Sequence, residues 1–500
     1  MGIRVQNTLT GRREDFVPAE DKRVRIYVCG VTPYAETHIG HARPSVFWDV
    51  VRRYLEYRGY KVFLVQNFTD IDDKVIARAQ ATGEDPLAIS RRYSQEYLRL
   101  MGLLGVRPAD AYPRVSDHIG DIIEVIQGLI ERGNAYERSG NVWFDVTTFP
   151  RYGRLSRRSL DELRAGARVE VDPDKRHPAD FAVWKRAKPG EPAWPSPWGP
   201  GRPGWHIECS VMALKYLGSG LDFHGGGTDL IFPHHENEIA QSEAYTGETF
   251  CRYWVHHEML NLRGEKMSKS LGNVVTCAEV LDRAPGGAVR LLLLGAHYRK
   301  PLDFDFDLLE ENKRAWRRLN EAARRLREAA GGAVRLEGGA DEALAEAARA
   351  ARRRFEEAMD DDFNTAEALG SLFDLVRAAN SALAGPSGPG PGPESGRDRS
   401  LATERPEEGP PTASGEGVRL ALAVLEELGG EVLGLVRPPG ERDAPEAGPA
   451  DELVSLLLEV RSCLREKKDF ALADFIREGL VRLGYEVQDG PRGSVARRRD

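Results

Sequence analysis

From residue 20 to about 310, short apolar runs alternate with segments whose apolar residues recur every three or four positions. Val24 to Cys29 and Val62-Phe63-Leu64-Val65 read as buried strands, and the series Val46, Phe47, Val50, Val51, Tyr54, Leu55 after Gly40 marks one face of a helix. A further helix is expected to begin near Asp72, and Trp254-Val255 reads as another strand. The alternation predicts an α/β domain over 1–310 built on a parallel, Rossmann-like sheet. From about 135 to 200 the rhythm breaks. Pro, Trp and Arg are frequent there, Pro189 to Trp198 is too rich in proline for regular helix, and the stretch reads as an insertion into the sheet.

Beyond about 311 the pattern becomes long Ala/Arg/Glu helices, over 311–330 and 341–383, which makes 311–384 a helical domain. In 385–417, 15 of 33 residues are Gly or Pro, so a disordered linker is expected. An apolar helix at 418–436 continues the helical domain, 437–450 is a second linker, and 451–500 is a small terminal unit.

Composition narrows the class of protein. With 41% hydrophobic and 30% charged residues, large cores are affordable, and no stretch approaches the ~20 apolar residues of a membrane span. The first residues lack the apolar core of a signal peptide, so a cytoplasmic protein with no membrane contact is expected. Five scattered cysteines suit a reducing compartment and make any clustered cysteine a candidate ligand. The net charge of −8 argues weakly against a nucleic-acid partner, yet it conceals local runs such as Arg317-Arg318, Arg324-Arg325 and Arg352-Arg353-Arg354.

Two motifs carry chemistry. His38-Ile39-Gly40-His41 falls where a strand hands over to a helix, a place that favours anions. Its imidazoles can donate to phosphate oxygens, and Gly40 lets an adenine approach the backbone. Lys266-Met267-Ser268-Lys269-Ser270, in a predicted loop, would set Lys266 and Lys269 against a departing pyrophosphate. A third signal is metal-like. His234 and Glu238 stand four apart, on one side of a helix, while His235 has no carboxylate or thiol at that offset. Cys29 ends the first strand, and Cys209 follows Trp205-His206-Ile207-Glu208 at another expected strand-to-helix junction, so the four could meet in one crevice. Packing cysteines and a surface His/Glu pair would explain the same residues.

The paired motifs resemble those of class I aminoacyl-tRNA synthetases. From 24 to 310 the chain is similar to cysteinyl-tRNA synthetases through Tyr27-Val28-Cys29-Gly30, Gln66-Asn67-Phe68-Thr69-Asp70, Gly204 to Ser210 and Gly225 to Glu238; the likeness continues through Met359 to Thr365 and Lys468 to Arg477. The resemblance implies ATP-dependent ligation of L-cysteine to tRNA(Cys) through cysteinyl-adenylate, probing the substrate thiol with one Zn²⁺ held by Cys29, Cys209, His234 and Glu238. It implies catalytic roles for His38, His41, Lys266 and Lys269, and an ATP site of Gly40, His41, Gly227, Asp229 and Lys269 with Mg²⁺ on the triphosphate. In that picture the Gly225–Asp229 segment is a loop where backbone meets nucleotide. Trp205 lines the amino-acid pocket, Thr69 touches the substrate amino group, and His206, His224 and His256 stand around it. The resemblance further implies a monomer, arginine-rich helices along the tRNA, and an anticodon-binding terminal unit. Family members commonly end in a Gly-Thr-x-Trp segment, where this chain has Gly493-Ser494-Val495-Ala496-Arg497, so a base-stacking tryptophan is missing. A cysteine ligase acting on an amino sugar would share the zinc and ATP motifs but would not need residues 451–490.

Overall fold

The computed structural model describes residues 2–165, 172–262, 264–266, 274–333, 336, 339–384, 415–440, 449–467, 469–483, 485–490 and 493–498. Four parallel strands form the central sheet: β1 (Arg23–Val31), β2 (Lys61–Phe68), β7 (Leu221–Gly227) and β8 (Cys251–His257), in the order β8-β7-β1-β2. Helix α1 (Ile39–Tyr57) connects β1 to β2, and its seven apolar positions from Val46 to Leu55 are all buried. The strand order reverses between β1 and β7. That switch point opens a crevice at the carboxyl ends of both strands, where ligands bind in folds of this kind.

Between β2 and β7 the chain builds a separate antiparallel sheet of β3 (Ala135–Arg138), β4 (Asn141–Phe144), β5 (Phe181–Arg186) and β6 (Gly201–Pro203). Trp184, wholly buried on β5, packs beside Trp198 from the proline-rich stretch, which forms turns and no helix. Helix α2 (Trp205–Leu217) follows β6 directly, and α3 (Glu236–Thr246) links β7 to β8.

The helical part comprises α4 (Phe306–Glu328), α5 (Ala340–Asp360), α6 (Thr365–Ala384) and α7 (Glu416–Val424). α4 starts before 311 because the Asp305 carboxylate caps it, accepting from the Leu308 amide at 2.6 Å. After α7 the chain continues in wider turns to Val432, then folds back so that the Leu435 carbonyl accepts from Trp316 Nε1 at 2.8 Å. Residues 385–414, most of the expected linker, lie outside the described residues. Several of the bundle's arginines pair with acids. Arg324 bridges Glu321 and Glu328, Arg327 meets Glu426, Arg352 meets Glu427, and Arg354 meets Asp374.

Three consecutive aspartates dock the helices onto the sheet domain. Asp360 accepts from Tyr54 at 2.6 Å and pairs with Arg58; Asp361 pairs with Arg13. Asp362, whose side chain is wholly buried, accepts from Tyr298 Oη at 2.7 Å, Arg299 Nε at 2.7 Å and the Gln6 amide at 2.9 Å.

Residues 438–500 form a second compact unit. Helices α8 (Pro449–Glu466) and α9 (Phe470–Arg482) pack against the hairpin β9 (Tyr485–Gly490) and β10 (Gly493–Arg498) around Val454, Leu480, Tyr485 and Val487. The atypical Gly493–Arg497 segment is thus strand, with Ala496 opposite Val487.

Candidate active site

Cys29 comes near the end of β1, where the ladder to β2 shifts register between Val28 and Val31. Gly30 is needed beside it: a Cβ there would lie 1.6 Å from the Asn67 carbonyl oxygen, and its amide donates to Asn67 Oδ1 at 2.8 Å. Cys209 is one turn into α2, a helix entered from the antiparallel sheet, so the cysteines arrive from two different sheets. His234 lies in the kinked segment before α3, and Glu238 in the first turn of α3.

These four side chains converge. Cys29 Sγ is 3.8 Å from Cys209 Sγ and 3.5 Å from Glu238 Oε1, His234 Nε2 is 3.0 Å from Glu238 Oε1, and one ligand atom from each lies within 4.8 Å of all the others. Two sulfurs bound tetrahedrally at ~2.3 Å would stand about 3.8 Å apart, so this donor set fits zinc. Glu238 is fully buried, with Oε2 facing only His224 Nε2 at 3.3 Å, and a buried carboxylate is costly unless cations join it.

Electrostatics prepare the cluster. A hydrogen bond from Cys29 and a neighbouring His234 pull Cys209 down to about 6 despite burial, while burial and the Cys209 thiolate push Cys29 well up. Burial disfavours the charge on Glu238, but the His224 and His234 imidazoles outweigh it and hold the carboxyl well below its usual range. Burial likewise lowers His234, and Glu238 and Cys209 override it to bring that imidazole to about 10.

A second tetrad shares two members of the first: Cys29, His224, His235 and Glu238 also lie within 4.8 Å of one another. His235 Nε2 is 3.3 Å from Cys29 Sγ and 3.8 Å from Glu238 Oε1. His235 has no partner at the i, i+4 offset, but it stands three before Glu238, an offset that also shares a helical face, and both histidines are buried beyond the kink at Phe232. His224 projects from β7 in register with Tyr27, two residues before Cys29. A histidine between Phe223 and the glycines of a wholly buried strand is the signal that could have revealed it.

The other histidines form the wall. His206 Nδ1 is 3.0 Å from His234 Nδ1, and His256 connects His235 to Thr8 through contacts of 2.8 Å each. Trp205, 39% exposed, stacks on His234 with ring centroids 4.4 Å apart, presenting its outer face to the crevice. Thr69 is buried and accepts from Asn67 Nδ2 at 3.2 Å.

His38 is the N-cap of α1, and its ring stacks on His41 at 3.6 Å. The Ile39 amide donates to the Val275 carbonyl at 3.0 Å and the Cys277 amide to the Thr37 carbonyl at 2.8 Å. The segment at 275–277, after the lysine motif, is therefore stitched to the His38 motif. The backbone of Lys266 pairs with Asn261 on the other flank, while 267–273, including Lys269, lie outside the described residues.

Gly225, Gly226 and Gly227 are not in a loop. They end strand β7, fully buried, and the loop starts at Thr228. A Cβ at Gly225 would lie 2.1 Å from the Trp48 ring, and one at Gly226 would lie 2.6 Å from His235 Cε1. Gly225 and Gly226 are thus required by packing behind the crevice, and Asp229 is exposed just beyond Gly227. Gly225→Ala is expected to cost about 1–3 kcal/mol through overpacking, read as a lower midpoint in urea unfolding.

Residues 15–314 match the model of the class I (C) tRNA synthetase catalytic domain, and 354–437 match the DALR domain. The cysteine–tRNA ligase of Heliobacterium modesticaldum is 51% identical over 99% of this chain and 99% of its own length, and that of Pelotomaculum thermopropionicum 49% over 98% and 99%. The chain belongs to the cysteine–tRNA ligases. The enzyme from Thermococcus gammatolerans is 48% identical over 100% and 99% of the two chains, so the likeness to these ligases includes the terminal unit. Among solved structures, methionyl-tRNA synthetase of Mycobacterium tuberculosis with methionyl-adenylate shares the fold at TM-score 0.57 and 19% identity, covering 72% of this chain and 83% of its own. A LeuRS–tRNA–LeuAMS complex from Agrobacterium radiobacter K84 does so at 0.60 and 12%, covering 84% and 85%. Among the described residues of this cysteine–tRNA ligase, no helix is long and apolar enough to cross a membrane.

Proposed function

We propose that the chain charges tRNA(Cys) with L-cysteine in two steps at the switch-point crevice, through cysteinyl-adenylate, and that Cys29, Cys209, His234 and Glu238 hold one zinc ion that selects the amino acid. The observation carrying this is the convergence of those four donors beneath Trp205. Zinc bound there would favour a soft thiolate over the hydroxyl of serine, a distinction that an apolar pocket makes by only ~1–3 kcal/mol.

The remaining work falls to the protein's own groups. Trp205 and the buried Thr69 orient the amino acid. His38 and His41, stacked at the start of α1, donate to the α-phosphate as the substrate carboxylate attacks it in line. Gly40 and Gly227 admit the nucleotide to the backbone, exposed Asp229 accepts from its ribose, and Lys266 and Lys269 receive the pyrophosphate with Mg²⁺. A ribose hydroxyl of the terminal adenosine then takes the cysteinyl group. The terminal unit reads the anticodon, and the enzyme works as a cytoplasmic monomer.

Pyrophosphate exchange with ATP tests the first step. Exchange should depend on cysteine, with serine at least 10³-fold poorer, and the same preparation should charge tRNA(Cys). Comparable exchange with serine would refute selection at the metal. Exchange without charging would point instead to a ligase for a small acceptor.

A further inference from the structure

The lysine motif begins in a small sheet of its own. Leu260–Leu262 pairs antiparallel with Glu265–Lys266 and parallel with Leu302–Phe304. The hairpin between the first two turns at Gly264, with φ 80°, whose amide donates to Asp303 Oδ1 at 2.7 Å. Lys266 stands on an outer strand opposite Asn261, so its place depends on where the other two strands start.

Both of those strands start from one side chain. Arg43, only 3% exposed, lies in α1 two residues beyond His41. Its Nη1 donates to the carbonyls of Glu258 at 3.0 Å and Met259 at 2.9 Å, just ahead of Leu260. Its Nη2 donates to those of His297 at 3.2 Å and Lys300 at 2.5 Å, just ahead of Leu302. The two segments are also tied to each other, the Glu258 amide donating to the Tyr298 carbonyl at 2.8 Å and the Leu302 amide to the Met259 carbonyl at 3.2 Å. Burial pulls the guanidinium down to about 10, with the Glu258 carboxylate opposing. A planar fork of donors can reach four carbonyls on two segments at once, whereas a lysine ammonium offers three donors from a single point.

The far flank of the motif is held by the same stretch of chain. Val275 and Cys277 are bonded to Ile39 and Thr37, so residues 37–43 carry His38 and His41 and fasten the lysine motif on both sides. Two positions along a helix are about 200° apart, which sets Arg43 on the side of α1 away from His41. Its role is therefore in the frame and not at the substrate.

We propose that Arg43 is a positioning residue for adenylate formation, setting the distance between the histidine motif and Lys266 by fastening the strands beside Lys266 to the helix that begins with the histidines. It rests on the reading of His38, His41 and Lys266 as groups around the reacting triphosphate. In-line attack has little tolerance, since a misplacement of about 1 Å costs about 10²-fold in rate.

The full-length R43K enzyme tests this, because lysine keeps the charge and loses the fork. Its cysteine-dependent pyrophosphate exchange should fall about 100-fold in kcat, while KM for cysteine stays within about twofold and transfer from synthetic cysteinyl-adenylate to tRNA(Cys) keeps its rate. Amide hydrogen exchange in Leu260–Leu262 and Leu302–Phe304 should quicken. An unchanged kcat at a temperature where both proteins are folded would leave Arg43 a structural residue and overturn the proposal. Equal losses in adenylate formation and in transfer would mark a general defect, and a raised KM for cysteine would place Arg43 at the amino-acid pocket; either result overturns it too. A lower kcat with unaltered amide hydrogen exchange would make Arg43 a direct contact of the nucleotide and overturn the positioning role. Should R43K fail to fold, R43Q, which buries no charge, carries the same comparison. Absence of cysteine-dependent pyrophosphate exchange in the unaltered enzyme would count against the adenylate reading itself, and is separable because it appears before any variant is made.

Discussion

Replacing Cys209 by alanine is expected to take zinc from one ion per chain to less than a tenth, and cysteine-dependent pyrophosphate exchange down by more than 10²-fold. Cys209 is the cluster's readiest thiolate, pulled to about 6 by the Cys29 hydrogen bond against the effect of burial. Losing even an outer partner commonly costs a metal site 10–100-fold, and a ligand should cost more. Elemental analysis after gel filtration gives the first quantity and the exchange assay the second. His235→Gln provides the comparison, because the second tetrad would use His235 and not Cys209. The first set offers two sulfurs and the second only Cys29, which burial and its neighbour keep protonated. Full zinc in Cys209→Ala with depletion in His235→Gln would reverse the choice between the two sets.

Asp362→Ala is expected to destabilise residues 1–437 by about 3–5 kcal/mol, the usual consequence of removing one member of a buried charge network. Its carboxylate stands among Arg299 at 2.7 Å, Tyr298 at 2.7 Å, Arg13 at 3.7 Å and His297 at 3.6 Å, with no exposed side-chain surface. Alanine would strand cations and a backbone amide that now share one acceptor. The backbone there, at φ 68°, adds to the strain for a residue with a Cβ and no side-chain oxygen. Urea unfolding followed by tryptophan fluorescence would show a midpoint shift. A change below about 1 kcal/mol would mean that solvent already compensates these charges.

The sequence carries the α/β sheet well, because Val24 to Cys29 and Val46 to Leu55 obey one clear period each. Proline content likewise excludes helix from 189–198. The glycine run at 225–227 misleads, since glycine signals turns locally but is needed here for the approach of Trp48 and His235, two contacts made across the chain. The site is legible as far as a regular helix extends. His234 and Glu238 can be paired at i, i+4 and His235 with Glu238 at i, i+3, whereas His224 depends on strand register, which no local pattern encodes. The arginine pairings are legible only in part: Arg324 meets Glu321 and Glu328 at helical offsets, whereas the partners Glu426, Glu427 and Asp374 come from other segments of the chain.

The hydrogen bond from the Gln6 amide to Asp362 spans 356 positions. During synthesis at ~5–20 residues per second, the Gln6 amide would wait about 20–70 s for its acceptor to be made. Throughout that interval the sheet domain can assemble around β1, β2, β7 and β8, and Arg4–Asn7 can pair with Arg12–Asp15, but the outer edge of this amino-terminal hairpin at Gln6 has only water to bond. The seam between sheet and helices therefore closes late on the ribosome, and a pause in translation ahead of codon 362 would prolong the exposure of that edge.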